Sequence, residues 1–371
     1  MTGRSFRLPV VSKGDVELSY RGFSLEHQRY SAADGAHYFY LRAPEQAGLY
    51  TLSAQQGAAT HSQSIRVCDL NGLRTPHEYN GEQWPRRWPL GQPWTSSKTR
   101  QTLQDLPRTR KANPALDWWL SCDDHALWHG LPPAERPQAH YVNVTQGCPR
   151  CGKAIFAHHG FYPWIWPDAG QGAQARCPAC GLEAWSNDLD DSDWHSGSYP
   201  DDGFGYVDDN GHIYLFAATH HRNQVIAFGS GIAALTDHIR GAEHSTDDRD
   251  RLVLMLLRYA QETLYVATAA QFRYGPSKER EEPWAWGQTD WAAQADPVGA
   301  LYRKGLLRYS IDVPIIAQTM ALAYDTVWPH MQRGDGSWLQ RSRALGLTVT
   351  DGVQLVEEML AVQLQCLMDG G

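Results

Sequence analysis

Two cysteine pairs constrain the fold of this chain more than any other feature. Cys148-Pro-Arg-Cys151-Gly is repeated as Cys177-Pro-Ala-Cys180-Gly, with 25 residues between the two motifs' inner cysteines. Four thiolates in this pattern can surround one tetrahedral Zn²⁺ at a Zn–S distance of about 2.3 Å. In each motif the proline favours a tight turn, and the glycine tolerates the positive φ that turns backbone N–H groups towards sulfur. Two disulfides or four buried thiols are the alternatives. The duplicated spacing favours a structural zinc site, because a closed four-cysteine set holds loops together and leaves no open position for catalysis.

The composition predicts a globular protein with more than one domain. The chain has 371 residues, of which 42% are hydrophobic and 20% are charged, enough for two or three domains. A net charge of −8 with scattered basic residues argues against a nucleic-acid partner. No apolar run approaches the roughly 20 residues of a membrane span. No secretory signal is visible near the N-terminus, so the cytoplasm is the default location. The oligomeric state is not indicated.

The first 75 residues predict a small β-sandwich. Short apolar or alternating segments follow one another at a spacing of about ten residues; they are 16–20, 37–42, 48–53 and 64–68. We interpret residues 1–75 as an accessory domain that either binds carbohydrate or packs on its neighbour, and packing is favoured. Residues 76–113, rich in Pro, Arg and Trp, are interpreted as a linker.

Residues 114–371 are predicted to be largely helical around a zinc knot at 145–212. A helical pattern starts after Asn113, a second short helix is predicted at 123–130, and four longer helices follow from apolar residues at helical spacing; these are 220–239, 247–270, 309–331 and 353–368. Long helices joined by long loops favour a helical toroid or hairpin array over a compact bundle. The fold class is therefore multidomain α+β: a small β-sandwich, a zinc-knuckle insertion and an incomplete α/α toroid.

Three segments near the cysteines offer further interpretations. His158 and His159, in the aromatic loop 158–167, are alternative metal ligands, although four cysteines already complete a zinc site. The acidic run at 188–193 lacks the regular ligand spacing of a Ca²⁺ loop, which favours a solvated loop. Residues 203–212 predict a hairpin with Asn210-Gly211 as a type I′ turn.

Several short motifs resemble, in their order along the chain, the heparinase II/III-like polysaccharide lyases. They are Leu131-Pro132-Pro133-Ala134-Glu135-Arg136-Pro137, Val142-Asn143, Gly147-Cys148-Pro149, Ser186-Asn187-Asp188, Asp208-Asp209-Asn210-Gly211 and Ala323-Tyr324-Asp325. The resemblance covers roughly residues 115–371. It implies an α/α toroid and β-elimination of uronic-acid polysaccharides, in which one group neutralises the sugar carboxylate while Tyr or His groups move protons. Members of the family often act in the periplasm or outside the cell.

The resemblance also implies that the catalytic residues of the family are absent from this chain. The segment 353–371 resembles the stretch that precedes the family's catalytic Gly-Asn motif, and the family's C-terminal β-sandwich would follow Gly371. We therefore expect the N-terminal, substrate-binding portion of a lyase, as a fragment or a natural truncation, inactive alone and with its catalytic residues unknown. The alternative is a non-catalytic, zinc-stapled carbohydrate-binding or interaction protein.

An acidic polysaccharide is the expected partner, and two groups of residues are candidates to bind it. The first is His220, His221, Arg222 and Asn223, at a predicted helix start where backbone N–H groups favour anions; the alternative is a solvated helix end. The second is Arg273, Tyr274, Trp284, Trp286 and Trp291. The indole rings of its three tryptophans suit the apolar faces of sugars; the alternative is ordinary packing.

Overall fold

The computed structural model has mixed α+β structure, which confirms the predicted class at this level. It describes residues 3–12, 14–31, 36–67, 78–79, 82–83, 116–134, 139, 141–160, 162–168, 174–184, 198–201, 205–241, 244–268, 312–334, 336–347 and 350–370.

The N-terminal residues form two three-stranded antiparallel sheets. Their strands are β1 (Ser5–Val11), β2 (Glu17–Ser19), β3 (Ser24–Ser31), β4 (Ala36–Arg42), β5 (Gly48–Gln56) and β6 (Ala59–Val67). The strand orders are β1-β4-β3 and β2-β5-β6. Both sheets contribute buried side chains to one core, including Leu18, Phe39, Leu41, Leu52 and Val67. This arrangement places the four predicted strand segments correctly and adds two strands.

The two strands that the sequence did not reveal, β1 and β3, are the edges of their sheet. β3 is mostly exposed and carries charged residues such as Glu26, so it lacks the alternation that identifies a half-buried strand. β1 contains Pro9, which a strand tolerates at an edge because no ladder hydrogen bond is needed there. Within the predicted linker, the described residues form one short pair, β7 (Glu78–Tyr79) with β8 (Glu82–Gln83).

The remaining elements are helices and two small hairpins. The helices are α1 (Leu116–Ser121), α2 (Asp124–His129), α3 (Phe156–His159), α4 (Phe216–Gly241), α5 (Thr246–Thr268), α6 (Asp312–Arg333), α7 (Trp338–Ala344) and α8 (Gly352–Gly370). The strands are β9 (Ala175–Arg176), β10 (Glu183–Ala184), β11 (Tyr206–Val207) and β12 (Ile213–Tyr214). All four predicted long helices are present, with boundaries shifted by a few residues.

Side-chain caps set the starts of three helices. Asp123 accepts a hydrogen bond from the N–H of Ala126 and caps α2, and Asp351 accepts from the N–H of Gln354 and caps α8. At α5 the cap is Ser245. Ser245 Oγ accepts from the Asp248 N–H while Asp248 Oδ2 accepts from the Ser245 N–H, which is a reciprocal capping box.

Helix α5 lies at the centre of the helical part and packs against α2, α4, α6, α7 and α8. Residues 252–257 are all apolar and buried, so this stretch of the helix is enclosed on every side. At the edge of the helical part, α1 packs closely against α4. A Cβ atom at Gly231 of α4 would lie 2.5 Å from the ring of Trp119 in α1. A glycine is therefore required for this helix contact. None of the helices that the structure describes is both long and apolar enough to cross a bilayer.

The short helix α7 was not predicted, because seven residues are too few for a periodic pattern. It is held by charge. Arg341 pairs with Asp124 of α2 and with Asp247 of α5. Nearby, the buried Asp250 accepts hydrogen bonds from the N–H and Oγ of Ser337.

A buried carboxylate, Glu262 of α5, joins the N-terminal sheets to the helices. Arg4 donates to both of its oxygens, at 2.9 Å and 2.5 Å. Arg258 donates to Oε1 at 2.5 Å, and the N–H of Ala134 donates to Oε2 at 2.7 Å. Arg258 also donates to the carbonyl of Leu131. We call these five residues the Glu262 junction.

Candidate metal centre

The four cysteines of the two C-x-x-C motifs come together in the fold. Cys148 Sγ lies 3.8 Å from Cys180 Sγ, and Cys151 Sγ lies 3.6 Å from Cys177 Sγ. All four sulfur atoms lie within 4.8 Å of one another. The sulfurs of a tetrahedral Zn²⁺ site with Zn–S bonds of about 2.3 Å are about 3.8 Å apart, so the arrangement fits zinc.

Each motif folds into the turn that the sequence predicts. In the first, the N–H of Cys148 donates to the carbonyl of Gly152, and the N–H of Gly152 donates back. In the second, the N–H of Gly181 donates to the carbonyl of Cys177. The two glycines have φ of +61° and +67°, a region that side chains disfavour. The glycine after each second cysteine is therefore part of the site.

The pKa shifts of three of these thiols show how metal binding would be coupled to loss of their protons. Burial raises the pKa of Cys148, and burial raises the pKa of Cys151 to about 11. For Cys180, burial opposes ionisation, but the N–H of Leu182 and the neighbouring thiols lower its pKa. Four thiolates this close need a cation to balance them. A divalent metal would supply that balance and displace protons on binding.

None of the five described cysteines forms a disulfide, and no histidine belongs to the described metal-ligating group. His158 is exposed, and the side chain of His159 lies outside the part that the structure describes. The remaining described thiol, Cys122, is buried in the helical core, where burial raises its pKa to about 11. It is therefore an unreactive packing residue.

Asn143 fixes the approach of the chain to the first motif. Its side-chain amide is buried and donates to the carbonyl of Ile213 at 2.9 Å. Its Oδ1 accepts from the N–H groups of Thr145 and Gln146 at 2.9 Å and 2.7 Å. Just beyond, Gly147 has φ of +82°, and a Cβ there would lie 2.6 Å from the carbonyl oxygen of Gly152. The motif is thus built against β12 with no room for a side chain at Gly147.

The loop between the motifs connects the cysteines to helix α4. Ile165 and Arg176 exchange two backbone hydrogen bonds, of 3.0 Å and 2.9 Å. Trp164 packs edge-on against Phe216 with ring centroids 5.0 Å apart. Trp166 lies 5.8 Å from the ring of His220. We call the described residues between 141 and 184 the metal module. Its buried core includes Cys148, Cys177 and Trp164, and it packs against Phe216 of α4.

The expected anion site at the start of α4 is filled by the chain itself. Helix α4 begins at Phe216, four residues before the predicted start, because the buried Asp201 accepts a hydrogen bond from the N–H of Ala217 at 2.9 Å. The same carboxylate accepts from the N–H of Gly205. An acidic group at a helix N-terminus satisfies free N–H groups and complements the helix dipole.

The four residues predicted to bind an anion at this helix start are buried or only partly exposed. His220 and His221 lie in the second turn of α4 and are 6% and 2% exposed. Burial lowers the pKa of His220 to about 4, so its imidazole is neutral near pH 7. Arg222 and Asn223 are partly exposed. A neutral, buried imidazole is poorly suited to a solvated sugar carboxylate.

The hairpin β11–β12 is confirmed, but its turn differs from the prediction. Five residues connect the paired Val207 and Ile213, and the turn closes with the N–H of Gly211 donating to the carbonyl of Asp208. The reason is the Asp208 side chain, which accepts from the N–H groups of Asn210 and His212 and contacts the His212 ring at 3.0 Å. Burial opposes ionisation of this carboxyl, but these donors lower its pKa.

Several predicted residues lie outside the part of the chain that the structure describes. They are Arg273, Tyr274, Trp284, Trp286, Trp291 and the acidic run at 188–193. The sequence reasoning missed Asp201 and did not foresee the role of Asn143. Asp201 carries no local signal, because its partner Ala217 is 16 positions away.

A comparison of the chain with protein-family models, curated proteins and solved structures finds no match. The function is therefore inferred from the sequence motifs and from the geometry of the site.

Proposed function

We propose that this chain is the N-terminal, substrate-binding part of a polysaccharide lyase that acts on uronic-acid-containing polysaccharides. In this proposal the metal is a structural Zn²⁺, the helices α4, α5, α6 and α8 belong to an incomplete α/α toroid, and the N-terminal sheets form an accessory β-sandwich. The acidic polysaccharide is the partner.

One observation carries the proposal: three of the motifs that resemble the lyases supply contacts that hold the described fold together. The segment at 131–134 provides the carbonyl of Leu131 and the N–H of Ala134 to the Glu262 junction. Asn143 anchors the first cysteine motif to β12, and Asp208 closes the hairpin that leads into α4. Residues that hold one architecture together in this way support a shared fold. The substrate class comes from the family resemblance, because a fold alone does not define a function.

The zinc assignment rests on the four sulfur atoms. Thiolates at tetrahedral spacing suit Zn²⁺, and a closed set of four is typical of structural sites. Its role would be to hold the loop at 162–168 and the start of α4 in one unit, because those segments have little regular structure of their own.

A second candidate, a non-catalytic carbohydrate-binding protein, is favoured by the state of Tyr324. This tyrosine belongs to the motif Ala323-Tyr324-Asp325, but its hydroxyl is buried and donates to Glu357 at 2.8 Å. Burial and this hydrogen bond raise its pKa. Proton abstraction needs a group whose pKa lies near the working pH, so Tyr324 is a structural residue.

The test uses the zinc-loaded full chain and a panel of polysaccharides: alginate, hyaluronan and heparin as uronic-acid polymers, with dextran as the neutral control. Calorimetry measures binding. Ultraviolet absorbance of the conjugated double bond that β-elimination leaves in the product measures turnover.

We expect binding to at least one uronic-acid polymer and none to dextran. Double-bond formation would favour the lyase over the second candidate. Binding without it is expected of both candidates, because the chain is expected to be inactive alone. If no uronic-acid polymer binds, both candidates are wrong.

A further inference from the structure

One segment of the metal module, 162–168, exposes every third side chain to solvent, and we call these positions its exposed edge. Tyr162, Ile165 and Asp168 are exposed, and the residues between them are buried or partly buried. An extended chain spans at most about 3.3–3.6 Å per residue, so exposed positions three residues apart lie within about 11 Å of each other.

Tyr162 is held in this exposed position from both sides. Its ring packs against Tyr141, with centroids 5.2 Å apart and the hydroxyl oxygens 3.4 Å apart. The next residues, Pro163 and Trp164, are buried, and Trp164 is fixed against Phe216. The chain therefore cannot withdraw the ring into the core, and 57% of Tyr162 stays in solvent.

A positive charge lies beside this edge. Ile165, which is 37% exposed, faces Arg176 across a bridge closed by two backbone hydrogen bonds. Directly opposed residues of an antiparallel pair place their side chains on the same face. Arg176 is exposed, and its guanidinium forms no hydrogen bond or ion pair with another residue in the described ranges. Glu183 opposes it on β10 without forming an ion pair.

We propose that Tyr162, Ile165 and Arg176 form the surface that binds the uronic-acid units of the polysaccharide. The pyranose ring of a uronic acid has an apolar C–H face, which suits the tyrosine ring and the isoleucine, and a carboxylate, which suits the guanidinium. A surface of rings without the cation would not select an acidic sugar. This assignment rests on the proposed function and places its binding surface on the metal module.

The exposed Asp168 sharpens the proposal. It lies three residues beyond Ile165 and within about 11 Å of it along the chain. A carboxylate there repels an acidic polymer, so the surface should bind more tightly when this charge is removed.

The experiment measures the dissociation constant of zinc-loaded variants for alginate, hyaluronan and heparin, and for the carboxyl-reduced form of each. Tyr162→Ala and Arg176→Ala should each weaken binding to the uronic-acid polymers about tenfold or more. Tyr162→Phe keeps the ring and should stay within about threefold of wild type. Arg176→Ala should also remove the preference for acidic over carboxyl-reduced polymer, and Asp168→Asn should tighten binding about threefold.

Two matched variants control for the loss of any exposed ring or charge. Tyr30→Ala removes a tyrosine that is 49% exposed on β3, and Arg42→Ala removes an exposed arginine of β4. Both should bind like wild type. Zinc content and thermal unfolding of each variant show that the metal module is intact.

The proposal is overturned if wild type binds a uronic-acid polymer while Tyr162→Ala, Arg176→Ala and Asp168→Asn bind it equally well; the proposed function then still stands. If wild type binds none of the three polymers, the proposed function and this surface are both wrong.

Discussion

Replacing Glu262 by glutamine should destabilise the protein strongly, because this buried carboxylate balances two guanidinium groups. Its two oxygens accept four hydrogen bonds, three of them from Arg4 and Arg258. Glutamine keeps the shape of the side chain, but its single oxygen can accept only about half of these hydrogen bonds. Its NH₂ group is a donor and would face other donors, with which it forms no hydrogen bond. Losing two charge-assisted hydrogen bonds at about 1.5–3 kcal/mol each agrees with the roughly 3–5 kcal/mol seen when a buried ion pair is broken.

The substitution Arg4→Met isolates the contact between the N-terminal sheets and the helices. It removes both hydrogen bonds of Arg4 and its stacking over Tyr265, where Arg4 Cζ lies 4.6 Å from the ring centroid. At the same value of about 1.5–3 kcal/mol per charge-assisted hydrogen bond, the expected loss is again about 3–5 kcal/mol, with Arg258 left to balance the carboxylate. Because the two residues share one contact, the double variant should cost less than the sum of the single variants, by at least about 1 kcal/mol.

The assay is urea unfolding, followed by tryptophan fluorescence and circular dichroism, at several pH values. Burial would raise the pKa of Glu262, but the guanidinium groups of Arg258 and Arg4 outweigh it and lower the pKa. A lowered folded-state pKa means that the stabilisation is complete above the ordinary glutamate value of about 4.3 and is lost as the pH falls below it. Glu262→Gln should therefore flatten the acid side of the stability profile.

Arg42→Ala is the control for this cycle, because its pair with Glu26 is exposed and 3.8 Å long; it should cost less than about 0.5 kcal/mol. A coupling energy between Arg4→Met and Glu262→Gln within about 0.5 kcal/mol of zero would refute the junction.

Three further predictions concern the surroundings of the metal module. Burial lowers the pKa of His220 to about 4, so as the pH falls the unfolded chain is protonated at this histidine before the folded chain is. About 3 kcal/mol of folding stability should therefore be lost between about pH 6.5 and 4. Urea unfolding of His220→Phe should lack this loss. Asp201→Ala leaves the N–H groups of Gly205 and Ala217 without an acceptor. In the same assay it should lower the free energy of unfolding by about 2–3 kcal/mol, and Asp201→Asn by about 1 kcal/mol. Equal losses in the two variants would contradict the capping role of Asp201. Asn143→Ala removes three hydrogen bonds beside the first motif and should weaken zinc affinity, measured by chelator competition, about tenfold or more; unchanged affinity would show that Asn143 does not position the thiolates.

The sequence predicts best what is encoded over short distances. The cysteine motifs need only a few neighbouring residues to define their turns, and both form with the glycines at positive φ. Long helices are visible because apolar residues recur at helical spacing, as do the buried Val225, Phe228 and Ile232 of α4. The capping of α8 by Asp351 is likewise a local pattern.

Features that depend on distant contacts were missed or misplaced. The start of α4 moves to Phe216 because Asp201 reaches its free N–H groups. His220 and His221 read as polar helix-start residues, yet both are buried. The Glu262 junction joins residues 258 positions apart, and no local pattern marks Arg4 as its partner. Whether a polar residue is buried depends on the elements that pack against it. A single sequence does not show which elements those are.

The zinc content of the purified chain shows whether Cys148, Cys151, Cys177 and Cys180 hold one metal. Elemental analysis of wild type and of Cys177→Ser, purified without chelators, should give one zinc per wild-type chain. The variant should lose most of it, because a missing thiolate opens a closed tetrahedral site. Wild-type protein with well under one zinc per chain, or a variant that keeps as much zinc as wild type, would rule out the four-cysteine zinc site.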